Sequence, residues 1–480
     1  MSKVRTRYLP SPTGPFHVGG ARTALFNYLF AVKHGGQFIV RIEDTDLLRS
    51  QKIYEEDIMA GLKWLGLAGD ENIEKGGPFA PYRQSERILT YKKYTEKLLK
   101  DGKAFYCFHS AKELGEERAK LLEQKNLPLH LCEYRDIDPE EAKTLSEAKP
   151  EYIIRFKTPL GRKIDFQDLI RGKLEFDSDL LGDFSIARRT DALPLYNLAV
   201  VIDDHEMKIT HVIRGDDHIA NTPKQIILIE ALGLPLPEYA HLPLILGPDR
   251  SKLSKRHGET SVIDYQKQGY LPETMFNFLA LLGWNPGDDR EILSREDIIK
   301  EFSLERVQKS GAIFDLKKLD WMNGEYIRKL SPEELYDRSK NFLPDGHESL
   351  PKELILKILL LEQPRLKKLS EIGESVEYFF HEPQYNKELL RWKDMGDKEI
   401  VEALDISEKI ISNFTFPISK SEIEKIFMDS MGDRDRGKIL WPLRVALTGK
   451  KASPGPFEIL EILDPKEAKK RLNNAKKLLV

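Results

Sequence analysis

Between Pro10 and Arg22 the chain reads Pro-Ser-Pro-Thr-Gly-Pro-Phe-His-Val-Gly-Gly-Ala-Arg, a turn-forming run that sets an imidazole, His17, beside two adjacent glycines, Gly19 and Gly20. Glycine leaves the backbone bare where a bulky ligand must come close. A helix opening behind such a turn offers free N–H groups and a partial positive charge, which suits nucleotide phosphates. His17 could donate to a phosphate oxygen. Much further along, Lys252-Leu253-Ser254-Lys255-Arg256-His257-Gly258 carries two lysines on a polar loop. Their ammonium groups are mobile point charges, suited to negative charge gathering on phosphorus. Taken singly, each feature is an ordinary surface turn or a solvated loop.

The surrounding elements must bring these two places together. Val4 to Leu9 reads as a strand. A helix follows from about Gly20, with Leu25, Tyr28, Leu29 and Val32 on one face and Gly35-Gly36 at its end. Phe38-Ile39-Val40 begins a second strand that runs into Glu43-Asp44. A further helix has Ser85 as its expected N-cap and Gly102 beyond its end. Strand, crossover helix and strand imply a right-handed parallel unit, the start of a doubly wound α/β sheet. From Phe105 to Leu195 the texture changes to short strands, such as Tyr152 to Phe156 and Leu174 to Phe176, with one charged helix near Ala111 to Lys125; this predicts an inserted α+β domain. The α/β pattern resumes with a strand at Ile209 to Ile213 and a helix capped by Thr222 and closed by Gly233. Beyond Ser331 the chain is almost wholly helical, with helices opening at Ser331-Pro332 and Pro351.

Composition narrows the setting. The 480 residues are too many for one core. No apolar run approaches the roughly 20 residues needed to cross a bilayer. The N-terminus leads straight into a strand rather than a signal-peptide stretch. Only two cysteines are present, Cys107 and Cys132, so a disulfide framework is not expected and the cytoplasm is the natural compartment. Net charge is −3, from 75 basic and 78 acidic residues. A nucleic-acid partner would therefore have to be met by local basic surfaces: Lys450-Lys451, or the tail around Lys469-Lys470-Arg471 and Lys476-Lys477.

The glycine turn resembles the "HIGH" signature of class I aminoacyl-tRNA synthetases, in the form found in the glutamyl and glutaminyl branch, and Lys252–Gly258 resembles the matching "KMSKS" loop. Arg41-Ile42-Glu43-Asp44-Thr45-Asp46, Pro81-Tyr82-Arg83-Gln84-Ser85-Glu86-Arg87, Asp203-Asp204-His205 and Trp321-Met322-Asn323-Gly324 extend the resemblance to essentially the whole chain. It implies a Rossmann-like catalytic domain in two halves, residues 1–104 and 196–258. An acceptor-binding insertion at 105–195 lies between them; a stem-contact domain at 259–330 and a helical anticodon-binding region at 331–480 follow. The implied reaction activates glutamate with ATP and Mg²⁺, then transfers it to the 3′ end of tRNA(Glu). His17, Lys252 and Lys255 would be catalytic, and His17, Gly19, Gly20 and Lys255 would hold ATP. Arg7, Ser11, Glu43, Tyr196 and Arg214 would bind glutamate, in keeping with arginine forks for two carboxylates and an acid for one ammonium. Arg365, Arg444 and Thr448 would face the anticodon. The nearest rivals are a glutaminyl enzyme or a form that also charges tRNA(Gln). Glutaminyl relatives end in β-barrels, so the helical end favours the glutamyl reading, and Arg365 favours restriction to tRNA(Glu). We expect a monomer.

Some family members carry Cys-x-Cys and Cys-x-His in the insertion. Here Cys107 and Cys132 have His109 beside them, Tyr134 takes the last place, and His130 sits at a different spacing. The sequence therefore does not favour zinc, and no metal residue is assigned. Asp203-Asp204-His205 and Asp216-Asp217-His218, read as strand residues facing opposite sides, are expected to be structural or RNA-facing.

Overall fold

Arg5–Tyr8 forms strand β1, helix α1 runs from Val18 to Lys33, and Gln37–Val40 forms β2, parallel to β1 with Arg5 opposite Gln37 and Tyr8 opposite Val40. Parallel pairing requires a crossover, and α1 supplies it. The computed structural model describes residues 3–149, 151–188, 194–254, 260–415 and 417–479. The chain divides into two units, Met1–Gln266 with Pro272–Leu316, and Lys267–Leu271 with Lys317–Val480.

In the first unit α1 is enclosed on several sides, with Ala21, Ala24, Leu25, Phe26 and Leu29 all inaccessible to solvent. It packs on β1 and on the helix Pro272–Leu281. Val32, expected on the inner face, is 39% exposed. Helices Lys52–Trp64 (α2) and Ile88–Lys100 (α3) follow. The expected Ser85 cap is not one. The Ser85 hydroxyl and N–H both go to Asp44, at 2.6 and 2.9 Å, so the helix begins three residues later.

The inserted segment contributes β3 (Ala104–Cys107), α4 (Ala111–Glu123), α5 (Pro139–Ala148), β4 (Ile153–Phe156), β5 (Lys163–Asp168), β6 (Gly172–Asp177) and β7 (Ser185–Arg188). Strands β3, β4 and β7 make an antiparallel sheet, and β5 and β6 a hairpin. After it come α6 (Tyr196–Glu206), β8 (His211–Gly215), α7 (Thr222–Leu232), β9 (Glu238–Leu242) and β10 (Ile245–Leu246). β8 and β9 pair in parallel, and β5 joins β9 at Asp168 opposite Tyr239, stitching the hairpin onto this sheet. β1 stands beside β8, tied by the Thr210 N–H to the Arg5 carbonyl at 3.0 Å. The doubly wound parallel core expected from the sequence is thus present as two adjacent parallel ladders. β8 starts two residues later than expected because Lys208 turns with φ +55° and Thr210 bonds back to Arg5. Thr222 is the first residue of α7, flanked by Asn221, rather than its cap.

The second unit has no strand among its described residues. Ser331 caps Pro332–Ser339 in a reciprocal box with Glu334. Pro351 precedes Lys352–Glu362. Helices Asp397–Ile411, Lys420–Met431, Arg436–Thr448, Pro456–Ile462 and Pro465–Lys477 enclose a core around Leu404, Phe427, Leu443, Ile459 and Leu472. No helix among the described residues is long and apolar enough to cross a membrane.

Candidate active site

A cleft of ≈1280 Å³ opens in the first unit at the carboxyl ends of β1 and β8. That is where doubly wound sheets bind ligands. His17, Gly19, Gly20 and Lys252 line it together with Arg7, Ser11, Glu43, Tyr196 and Arg214. The structure therefore gathers every described residue expected at the phosphate and glutamate ends into one cavity. Lys255 lies outside the described residues.

His17 is the N-cap of α1, its Nδ1 accepting the Gly20 N–H at 3.2 Å. With Nδ1 an acceptor, a neutral ring carries its hydrogen on Nε2 and keeps that nitrogen as a donor. Surrounding protein pushes the His17 pKa below the ordinary histidine value; Lys252 adds to this and Asp217 opposes it. The expected cradle of free amides is smaller than the sequence implied. The Val18 N–H goes to Thr260, Gly20 to His17 Nδ1 and Ala21 to the His17 carbonyl. Among the described residues only Gly19, of the first four helical amides, is left without an acceptor. The two glycines also divide their work. A side chain at Gly20 would run into the Tyr8 hydroxyl, so that glycine serves packing, whereas one at Gly19 would meet only the His17 ring.

The lysine loop is held at both described ends. Lys252 bridges to Leu246 on β10, and Leu253 N–H donates to the Ile245 carbonyl at 3.0 Å. Past residue 259, Thr260 accepts from Val18, and Val262 N–H donates to Phe16, at 2.9 and 2.8 Å. Lys252 Nζ stands 3.7 Å from Asp217, both well exposed to solvent, so the pairing is weak and Lys252 is free to move.

Beneath the other end lies a buried polar network. Arg7 Nε and Arg41 Nη2 donate to the two oxygens of Asp204 at 3.1 and 3.0 Å. Asp203 accepts from Arg87 Nε (2.6 Å), Tyr91 (2.8 Å) and Gln84 (2.9 Å) and faces Arg41 at 3.4 Å. Both aspartates lie on α6, not on a strand as the sequence suggested, so adjacent residues here serve one network. Glu43 is buried beside Arg41. Burial raises its pKa to about 7, Arg41 pulling it down and Asp204 and Asp203 pushing it up. Arg7 Nη2 is buried with no hydrogen-bond partner among the described residues, and an orphaned guanidinium nitrogen on a cleft wall fits an anionic ligand.

Sequence reasoning set His218 aside with Asp216-Asp217 as structural or RNA-facing, and the structure puts it on the cleft. It follows β8 in the short turn Asp216–Asn221, lines the cleft, and sits 2.9 Å from the Tyr196 hydroxyl. Burial, then Arg214, depress its pKa to about 4, so it meets a ligand neutral. The available signal was its place, immediately after the strand that carries Arg214.

In the second unit Arg365 and Arg444 line a depression of ≈560 Å³ with Lys450 and Lys451. Thr448 is not part of it: the residue is buried, its hydroxyl donating to the Arg444 carbonyl and accepting from Lys450 N–H. The C-terminal basic run is largely spent on its neighbours. Lys470 pairs with Glu382, Arg471 is buried on Glu467 and the Leu447 carbonyl, and Lys476 pairs with Asp405 and Glu408.

In the inserted segment Cys107, His109, His130 and Cys132 bring their ligand atoms within 4.8 Å of one another. Cys107 Sγ is 3.6 Å from both His109 Nδ1 and His130 Nε2, and Cys132 Sγ is 3.8 Å from His109 Nδ1. The outer nitrogen of His130 meets Glu117 at 2.5 Å, the carboxylate–histidine pairing typical behind zinc ligands. The sequence argument against a fourth ligand rested on spacing along the chain, and the fold removes it: His130 closes the set and Tyr134 is not needed.

Residues 3–321 match the family described as tRNA synthetases class I (E and Q), catalytic domain, and residues 334–476 match that described as anticodon binding domain. The glutamate–tRNA ligase of Carboxydothermus hydrogenoformans is 46% identical over 98% of this chain and 99% of its own length. Glutamate–tRNA ligase 1 of Caldicellulosiruptor saccharolyticus is 44% identical over 98% of each. The crystal structure of a glutamate tRNA ligase from Elizabethkingia meningosepticum, in complex with its amino acid, superposes with a TM-score of 0.91 at 37% identity over the full length of both chains. A match of this extent, with both signature regions on one cleft, means that the chain belongs to the class I tRNA synthetases of the E and Q group.

Proposed function

We propose that this chain is a glutamate–tRNA ligase, acting as a cytoplasmic monomer, that forms glutamyl-adenylate from glutamate and ATP and passes the glutamyl group to the 3′ end of tRNA(Glu). The observation that carries this reading is the sharing of one cleft by His17 and Lys252 with two buried arginines, Arg7 and Arg214. A carboxylate is already ionised at neutral pH, so its attack on the α-phosphate needs no general base. What remains is alignment and charge stabilisation. Arg7 and Arg214 hold carboxylate oxygens, Glu43 takes the α-ammonium, and Tyr196 and Ser11 complete the wall. His17 Nε2–H and the Gly19 N–H donate to phosphate oxygens, while Lys252 and Lys255 follow the charge onto pyrophosphate. Asp217, beside Lys252 on the cleft wall, is a carboxylate that would help hold a Mg²⁺ bound with the triphosphate, which would add neutralisation of the leaving group. Arg365 and Arg444, with Lys450 and Lys451, are the proposed anticodon surface, and Arg365 favours tRNA(Glu) alone.

Aminoacylation with glutamate and glutamine on their two tRNAs tests the assignment. We expect glutamate on tRNA(Glu), and ATP–pyrophosphate exchange that depends on tRNA. Glutamine as the preferred amino acid would overturn it.

A pH dependence follows from Glu43. Its carboxylate pairs with the ammonium only when ionised, and in the free site that form is lost as pH falls through about 7. Bound ammonium lowers this pKa, so the KM for glutamate should be level above about pH 8 and climb by up to about tenfold per pH unit below 7. The KM for tRNA should stay unchanged. A glutamate KM that is level from pH 6 to 8 would remove Glu43 from the site.

A zinc site at Cys107, His109, His130 and Cys132 is supported by the convergence of the four ligand atoms. Two thiolates and two imidazoles suit tetrahedral zinc, which when bound clamps the insertion without taking part in the reaction. The purified protein should hold close to one zinc per chain by mass spectrometry, and His130→Ala or Cys107→Ser should abolish it and lower the melting temperature. Full metal content in His130→Ala would exclude His130 as a ligand.

A further inference from the structure

Behind Arg214 the structure buries a second acid–imidazole pair, away from the reacting atoms. Asp168, the last residue of β5, and His241, on β9, are both inaccessible, with His241 Nδ1 2.6 Å from Asp168 Oδ2. The other Asp168 oxygen accepts the N–H groups of Ile170 and Arg171 at 2.9 and 2.7 Å. His241 Nε2 lies 3.2 Å from Arg214 Nε. Arg214 is then fixed twice more: Nη1 donates to Gln225 at 2.8 Å and Nη2 to the Thr222 hydroxyl at 2.8 Å. Its guanidinium also stands 5.6 Å over the Tyr239 ring. A guanidinium has five N–H donors. Three are spent on these anchors, which leaves one on each terminal nitrogen of a side chain that lines the cleft.

The proton count decides how the anchor works. Arg214 Nε always carries hydrogen and points at His241 Nε2, which the Thr222 hydroxyl also approaches at 3.1 Å; a bare Nε2 accepts from Arg214, whereas a hydrogen there would face that donor and could turn only to Thr222. Burial works against the Asp168 carboxylate, but the bonds from His241 and from backbone N–H outweigh it and keep the acid ionised. Burial likewise disfavours a charged His241, against the pull of Asp168. An ionised Asp168 places the single imidazole hydrogen on Nδ1.

We infer that Asp168 and His241 are positioning residues for substrate recognition: the carboxylate fixes the imidazole with hydrogen on Nδ1, and the bare Nε2 holds the Arg214 fork at the rotation that meets a glutamate carboxylate. This rests on the reading that Arg214 binds glutamate, and the two fail differently. If Arg214→Ala leaves the glutamate KM unchanged, that reading falls and this one with it. If Arg214→Ala raises the KM, the pair is tested by Asp168→Asn. The new amide donates to Nδ1 and drives the hydrogen to Nε2, so the glutamate KM should rise about tenfold with the ATP KM unchanged. His241→Gln, which offers an amide oxygen near the place of Nε2, should retain more glutamate affinity than His241→Leu. In wild-type protein with ¹⁵N-labelled histidine, His241 should be neutral and protonated at Nδ1. An unchanged glutamate KM in folded Asp168→Asn, an equal rise for ATP, or a hydrogen on Nε2 in the wild-type spectrum would overturn the assignment. Should the variants not fold, the wild-type spectrum decides.

Discussion

Asp203→Ala should cost about 3–5 kcal/mol of folding stability, read as a drop in the urea midpoint at constant slope. Asp203 is fully buried and meets Arg87, Tyr91 and Gln84 at hydrogen-bond distance, with Arg41 just beyond. Arg41 and Arg87 are themselves almost inaccessible. Removing the carboxylate leaves the buried Arg87 with carbonyl acceptors but no acid and leaves Arg41 to Asp204 and Glu43, and that penalty is what the variant reports, not the net worth of the original pairs. A companion, Asp203→Asn, should fall between alanine and wild type, because the amide oxygen keeps one acceptor while the charge is lost. If the alanine variant were within about 1 kcal/mol of wild type, the network under the cleft floor would not be the support described above.

Lys255→Ala should slow glutamyl-adenylate formation by about 2–4 kcal/mol in barrier height, with little change in the affinity for ATP or glutamate. Lys255 lies outside the described residues, but the residues on either side of 255–259 are placed. Ser254 lines the cleft with His17, and Thr260 and Val262 are hydrogen-bonded to the turn that carries His17. The role given to Lys255 rests on these two flanks bordering the cleft that holds His17. An ammonium that strengthens its grip only as charge moves onto pyrophosphate acts on the rate rather than on binding. Single-turnover measurement at saturating substrate separates the two, and an unchanged rate there would take Lys255 out of the chemistry.

What could be read from the chain and what could not differ for physical reasons. The α1 turn and the Lys252 loop were legible because glycine, histidine and paired lysines constrain local chemistry within a few residues. Arg7, Glu43 and Arg214 were placed on the cleft by the strands they lie on or follow, whereas Tyr196, at the start of α6, came only with the family resemblance. The closeness of Cys107, His109, His130 and Cys132 was not legible because separation along the chain says little about separation in space: His130 folds back onto Cys107 across an intervening helix. Asp203 and Asp204 were assigned to a strand, where neighbours diverge, but they occupy the last turns of a helix. Thr448 shares a helix with Arg444 yet points into the core. The partner of Arg214, His241, carries no local signature at all. It becomes visible only when β5, β8 and β9 are laid side by side.

The imidazole that ends the first turn has its two nitrogens committed before any nucleotide arrives. One satisfies a main-chain amide, so the other must present a hydrogen, and crowding keeps the ring uncharged. A triphosphate docking there therefore meets a dipole where it could have met a cation. A fixed positive charge would grip the incoming phosphate and the departing one alike, and would slow departure; a neutral donor aims without clinging. The strong attraction is left to Lys252, whose exposed ammonium is only weakly paired with Asp217 and can follow the charge as it leaves.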